Sequence, residues 1–348
     1  MKGLYSLLYG ALIVFPVQAK MLEMNDQQLA GVNGQGIAFS LEGILLDASE
    51  SSIFINDITN AAGENIPISV HEFYLASTGS NKGSNLQPVN LGRLSNPFKL
   101  QFGNGEDLLT LRDDGVWVQT TPDEVAILEL KFPERLTGVM GQPCIAGFAA
   151  AGTNCSSRLG ERLDAGIRFD FQVAAGRTDI LNIDIVELIM DGSYLRLWGD
   201  EARDQLVGEA RTNIFAKRID LMSCIPGSLN CASDQEQADR TLSLSDTYFN
   251  IALGYGKSQP LLFDVTSDGQ FVIELPNPVS RAANGSARSA AERNAIANDF
   301  YTNAPETNIV IGNLRSGNNG IVSGGYNYGR NSIEGMSINY LKATSRDL

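Results

Sequence analysis

Histidine is all but missing from this chain: among 348 residues His71 is the only one. Proton-shuttling chemistry of the Ser-His-Asp kind would have to use that single ring, with a serine brought to it from elsewhere. His71 lies in ISVHEFYL, where alternation sets it in a strand beside Glu72, the place of a strand-face or rim histidine. No G-x-S-x-G elbow, H-E-x-x-H pair or Walker-type loop occurs, so no catalytic signature is present. A zinc site lacks a second histidine. Tryptophan is scarce as well. Trp117 and Trp198 could stack on sugar rings, but two in a large β-protein ordinarily fill core or rim. Basic residues number 26 against 40 acidic ones, which disfavours nucleic acid as a partner.

What is present at the start is an export signal. Lys2 precedes an apolar run over 4–17, and Val17-Gln18-Ala19 carries the small residues of a cleavage site before Lys20. The run is too short to span a bilayer comfortably as a helix. Residues 1–19 are thus expected to be a signal peptide, and no cysteine near the cut indicates a lipid anchor. Loss of Lys2 with this leader leaves 25 basic and 40 acidic residues, a net charge of −15. The mature chain is expected in the periplasm, at the cell surface or outside the cell. Its four cysteines form two close pairs, Cys144 with Cys155 and Cys224 with Cys231. Local disulfides stapling two surface loops are the natural reading, although four cysteines permit three connectivities.

Period-two alternation dominates the rest, from 36–46 through 66–75, 98–102, 115–119 and 125–132 to 166–173, 180–189, 193–198 and 214–221. It resumes at 242–253, 261–265, 270–275, 308–314 and 332–341. Asp114-Gly115, Asp191-Gly192 and Asp268-Gly269 supply tight turns. The spacing predicts one all-β domain over 20–348, an antiparallel β-sandwich of long twisted sheets with one or two short helices. The helices are expected at 25–32 and at 290–300, where Ser289 and Glu292 make a capping-box pattern. Segments 143–164, 200–212 and 276–289 read as loops. A weak repeat links LGRLSNPFKLQF (91–102) with LGYGKSQPLLF (253–263), each a turn delivering the chain through Pro into a strand, and NYGRNS (327–332) echoes NLGRLS (90–95).

Paired carboxylates could cleave glycosides without histidine. The visible neighbours, Asp113 with Asp114, Asp123 with Glu124 and Asp200 with Glu201, point to opposite strand faces and make no catalytic pair. No cofactor is expected. The one metal left open is calcium near Asp57, in NDITNAAGEN with Asn56, Asn60 and Glu64, whose ordinary explanation is a self-bonded Asx turn. An outer-membrane β-barrel is a further alternative for an exported strand-rich chain. Uneven strands, interrupting prolines and a polar end at Leu348 depart from it, and stable membrane insertion is not expected.

Two stretches resemble a known group. MLEMNDQQLAGVNGQGIAFSLEGI (21–44) is similar to the opening of the FilA-like pilus-system proteins exported by Gram-negative bacteria. The matching pattern is Leu29, Val32, Gly34, Gln35, Gly36 and Ile37. GGYNYGRNSIEGMSINYLKATSRDL (324–348) is similar to that group's closing segment. The resemblance covers about 50 residues and implies a structural or accessory part of a surface fibre, or pilus, and no enzyme. Candidate partner contacts are Leu29, Val32, Gln35 and Ile37 near the start, with Ile338 and Tyr340 near the end. The expected function is a non-catalytic surface or fibre-associated protein acting through sheet edges and loops. A carbohydrate-binding or carbohydrate-active β-protein is the other alternative, beside the barrel.

Overall fold

Side chains that alternate with period two must lie on two faces of a sheet, and the chain is indeed all-β: the described residues form one 15-stranded antiparallel sheet and two two-stranded ones, of which the hairpin 109–119 is laid on the large sheet in sandwich-like fashion. The computed structural model describes residues 36–56, 58–59, 63–79, 85–92, 97–112, 116–133, 162–174, 177–190, 192–224, 239–280, 282, 285–317 and 325–345. The expected helix at 25–32 lies outside them, as do Leu29, Val32, Gln35, Asp57, Asn60, Asp114, Asp191, Cys144, Cys155 and Cys231.

The chain runs out along β1 (Gly36–Phe39), steps aside in β2 (Leu41–Ile44), and continues in β3 (Leu46–Ile55). It returns through β4 (Ile68–Ser77), detours into β5 (Val89–Leu91) beside β2, and resumes in β6 (Phe98–Asn104). A small hairpin follows, β7 (Leu109–Leu111) and β8 (Trp117–Gln119), before the next outward pass, β9 (Ala126–Lys131) and β10 (Leu163–Ala174). β11 (Arg177–Ile189) and β12 (Tyr194–Asp200) return, and β13 (Gln205–Cys224) goes out without a break. β14 (Thr241–Leu253) and β15 (Leu261–Val265) come back. The last two passes are β16 (Phe271–Leu275), helix α1 (Ala290–Asn303) and β17 (Thr307–Ser316), then β18 (Tyr326–Met336) and β19 (Leu341–Thr344).

Among the described residues each pass pairs antiparallel with its neighbours along the chain, the first and the last having one such neighbour each. β3, β4, β10, β11, the second part of β13, β14, β17 and β18 are consecutive neighbours. So are β1, β6, β9, β12, the first part of β13, β15, β16 and β19. The result, among the described residues, is an up-and-down sheet of eight passes in two tiers, a tier of long strands and a tier of short ones, with β13 belonging to both. In the two similar stretches 91–102 and 253–263, the described strands β6 and β15 hold equivalent places, each the short-tier part of a returning pass.

The two faces of the long tier differ in a way that burial makes plain. Leu75, Ala165, Ile185, Ile219, Leu244 and Leu314 stand side by side on six strands, all half-buried. Ile167, Ile183, Leu221 and Leu242 form the next row on the same face. The opposite face carries Tyr74, Gly166, Asp184, Asp220 and Ser243 in one row, and every one of these is buried. Tyr74 lies over Gly166, where a Cβ would come within 2.2 Å of the ring, and donates its hydroxyl to Asp184 at 3.2 Å. The polar face is the inner one. Where the tiers meet, alternation changes parity: β13 buries Asn213 and Phe215 before the junction, Asp220 and Met222 after it. Asp246 and Glu187, with φ of 49° and 52°, sit at that junction on the flanking strands, a left-handed geometry costly for residues with a Cβ.

Two sequence readings are corrected here. Residues 200–212 are no loop: the chain turns at 201–204 and β13 starts at Gln205. Its inward side chains there are Val207, Glu209 and Arg211, so the apolar alternation that marks a strand is broken by charge. The expected strand at 332–341 is split, β18 ending at Met336 and β19 starting at Leu341. Asp268-Gly269 does turn the chain between β15 and β16, with Gly269 at φ 80°.

Helix α1 starts at a reciprocal cap, Ser289 accepting from the Glu292 amide while Glu292 accepts from that of Ser289. Its far end docks through Phe300, edge to face with Tyr255, whose hydroxyl donates to Asp299 at 2.9 Å. Burial first, then that bond, push the Tyr255 phenol above the ordinary tyrosine range. The neutral phenol is thus the folded form. Its contribution is whole below about pH 10 and is lost as pH climbs from there through the raised value. Alkaline titration followed by helix circular dichroism should show a step above pH 10 that Tyr255→Phe removes.

Candidate functional site

Three charged residues that ought to face water are instead buried in the short tier. Glu129 on β9, Arg196 on β12 and Glu209 on β13 are direct cross-strand neighbours, and each is 1% exposed. The register alone sets charge against charge. Arg196 donates from Nε to Glu129 Oε1 at 2.9 Å and from Nη1 to Glu209 Oε1 at 2.9 Å. The same Nη1 reaches the hydroxyls of Thr110 and Thr120, and Nη2 the carbonyl of Leu109, so the β7–β8 hairpin closes over the guanidinium. The Tyr194 ring lies 4.1 Å from its Cζ.

The carboxylates are saturated too. Glu129 Oε2 accepts from Gln101 at 2.5 Å; Glu209 accepts from Thr120 at 2.6 Å and from the Gly256 amide at 3.1 Å. Burial opposes the charge on Arg196, but the fields of Tyr194, Glu209 and Glu129 outweigh it and hold its pKa above the usual arginine value. Burial, then the Glu209 charge, pushes the Tyr194 phenol up. Beneath the ions, Leu108, Ile127, Trp198 and Val207 make the apolar core of this tier. Trp198 is therefore core, and Gly256 packs so closely on it that a Cβ would stand 2.8 Å from the indole.

Beside the cluster opens a cavity of about 380 Å³, bounded by Gln101, Asp107, Leu108, Leu109, Trp117, Glu129, Lys131 and Arg196. Trp117 is 45% exposed at its mouth. Of the wall carboxylates Glu129 is committed to Arg196 and Gln101, while Asp107 lies exposed in the 3-10 turn 105–107. This arrangement can hold a polar ligand against an indole.

The single histidine does meet a serine and a carboxylate. Ser52 Oγ lies 2.7 Å from His71 Nδ1, and Asp170 Oδ2 lies 3.8 Å from His71 Nε2. Ser52 and His71 are cross-strand partners on β3 and β4. Asp170 gives both oxygens to Arg168, at 2.7 and 2.9 Å. A carboxylate so engaged and so far from the imidazole does not orient it as a triad requires. The line is a polar row of the inner face. A fluorophosphonate probe should leave Ser52 unmodified, as followed by mass spectrometry of the intact chain; labelling at Ser52 would give it nucleophilic character.

The other sequence candidates are scattered. Ile37 is 66% exposed on β1, in the first pass, and Tyr340 is 56% exposed between β18 and β19, in the last. Ile338 is half-buried, its carbonyl accepting from Gln259 at 2.9 Å. Cys224 ends β13. Among the described residues no cluster of His, Cys, Asp or Glu could hold a metal ion, and no helix is long and apolar enough to cross a membrane. The Arg196 cluster had one sequence signal: charged residues at the same parity as Tyr194 and Trp198 in YLRLWG, with Glu129 in AILELK and Glu209 in VGEAR. Only the register shows that they meet.

Arg196→Met should cost about 3–5 kcal/mol in urea unfolding, because two carboxylates would stay buried without their cation. Adding Glu209→Gln to that variant should recover part of the loss. Family models, curated proteins and solved structures give no match to this chain.

Proposed function

We propose that the chain is a non-catalytic, exported structural protein of the cell surface or of a surface fibre, making its contacts with sheet edges and loops. The observation that carries this reading is the last long strand. β18 is exposed along nearly its whole length, has β17 on one side, and has no ladder partner on the other among the described residues. Tyr326 and Tyr328, 75% and 57% exposed, and Ile333, 55% exposed, stand on it. At the opposite edge β3 exposes Ile53 and Phe54. Edges of this kind accept a strand from a partner. The ionic cluster supports the reading from the other side, since its charged groups are spent on one another. The export leader and the two segments resembling pilus-system proteins agree with it.

Carbohydrate binding is a second reading, favoured by the exposed indole of Trp117 at the mouth of the cavity beside Gln101 and Lys131. The discriminating experiment compares cells with and without the gene, fractionated and sheared for surface filaments. Filaments should be lost with the gene, and Ile333→Lys should reproduce that loss. Recovery of the protein only from the soluble periplasm, with filaments unchanged, would defeat the fibre reading.

A further inference from the structure

A sheet with one face in water normally shows water its polar side. The long tier does the reverse. Asp184, Asp220, Ser243 and Tyr74 are 8% exposed or less, while the row Leu75, Ala165, Ile185, Ile219, Leu244 and Leu314 looks outward on six neighbouring strands. Leu242 and Ile333 continue that outward surface at 37% and 55% exposure. A face of this extent is not a patch with a rim; it follows the sheet from pass to pass.

We infer that the long tier is a lipid-facing wall, inserted in a bilayer with its polar face turned to the inside. Four observations choose hydrocarbon over a protein partner. The apolar surface runs around the tier instead of gathering at one place, which suits a solvent and not a docked molecule. The strands have the needed length: β3, β4, β10, β11, β14, β17 and β18 run from 10 to 13 residues, against the 9–11 or so that cross a bilayer on a tilt. The short-tier strands, of 4 to 7 residues, do not reach. Among the described residues the passes are even in number and strictly sequential, the connectivity that walls of this kind use. The inward charges are met within the sheet, as where Arg168 binds Asp170 and Glu72, and Arg218 binds Asp220.

Hydrocarbon does not tolerate an unpaired strand edge. The two edges, β3 and β18, therefore take each other as partners on insertion and complete a ring of eight. The inference rests on the export part of the proposed function, and it reassigns the edges: surface contacts fall to the loops and to the short tier. Lack of a crossing helix among the described residues bears on helices only.

The test uses the mature chain with phosphatidylcholine vesicles, brominated on the acyl chains. The protein should float with the vesicles, resist carbonate extraction, and migrate faster unboiled than boiled on a detergent gel. Trp198 lies in the short tier and Trp117 in the hairpin laid over it, so a reporter placed by Leu244→Trp should lose roughly half or more of its added emission to the bromines, as the lipid face requires. Ile183→Trp serves as a second reporter should the first fail to fold. A mature chain that stays monodisperse in detergent-free buffer and does not float overturns the inference. So does a soluble dimer that Leu244→Arg turns to monomer, because a second copy would then cover the face. Flotation with filaments unchanged upholds the lipid wall and defeats the fibre reading; a soluble protein whose loss removes filaments does the opposite.

Discussion

The ion cluster at Arg196 is the constraint on which the short tier depends. Glu129, Arg196 and Glu209 stand on three adjacent strands, and a slip of one residue between any two would bury a carboxylate without its cation. Such a penalty, several kcal/mol per uncompensated ion, makes the register of β9, β12 and β13 far more specific than backbone pairing alone. The cluster also holds down what lies above it. Thr110, Thr120 and the Leu109 carbonyl tie the β7–β8 hairpin to the guanidinium, and Gly256 ties the turn between β14 and β15 to Glu209. Three other parts of the chain, β9, β13 and the hairpin, thus converge on the Arg196 charge, and the turn after β14 joins them through Glu209.

From there the order spreads along β13. This strand is opposed by β12 and then β11 on one flank, by β15 and then β14 on the other, so among the described strands it alone transmits the register of one tier to the next. The change of parity at the junction lets the inner face stay inner on both sides of it. Asp246 and Glu187 take an unfavourable backbone conformation there, and Glu187 is held by Lys217 at 2.6 Å and by Arg162. Without that irregularity one tier would turn its polar residues outward.

Much of this was legible in the residues. Period two marked nearly every strand, because the pleat repeats every two residues whatever covers it. The cap of α1 was readable for the same reason: Ser289 and Glu292 act within one turn. What period two cannot carry is the choice of face. ILNIDIVELI alternates equally well with its isoleucines in or out, and only neighbours decide that Asp184 turns inward. The strand at Gln205 was hidden because its inward residues include Glu209 and Arg211, charges whose partners Arg196 and Asn250 sit 13 and 39 residues away along the chain. Long-range partners leave no local trace.

Sequential connectivity has a consequence for how the molecule is made. Every pass finds its neighbour immediately before it in the chain, so each hairpin can form as soon as it has been synthesised, with small loop-closure cost. Only one juncture escapes this economy. The opening segment, born first, has one flank that no later hairpin serves, and the closing segment is born last; any seam between them must wait for termination of synthesis. An outward pass answered by a return, repeated to an even total among the described strands, also brings β1 and β19 to the same end, where a single neighbouring surface could meet both.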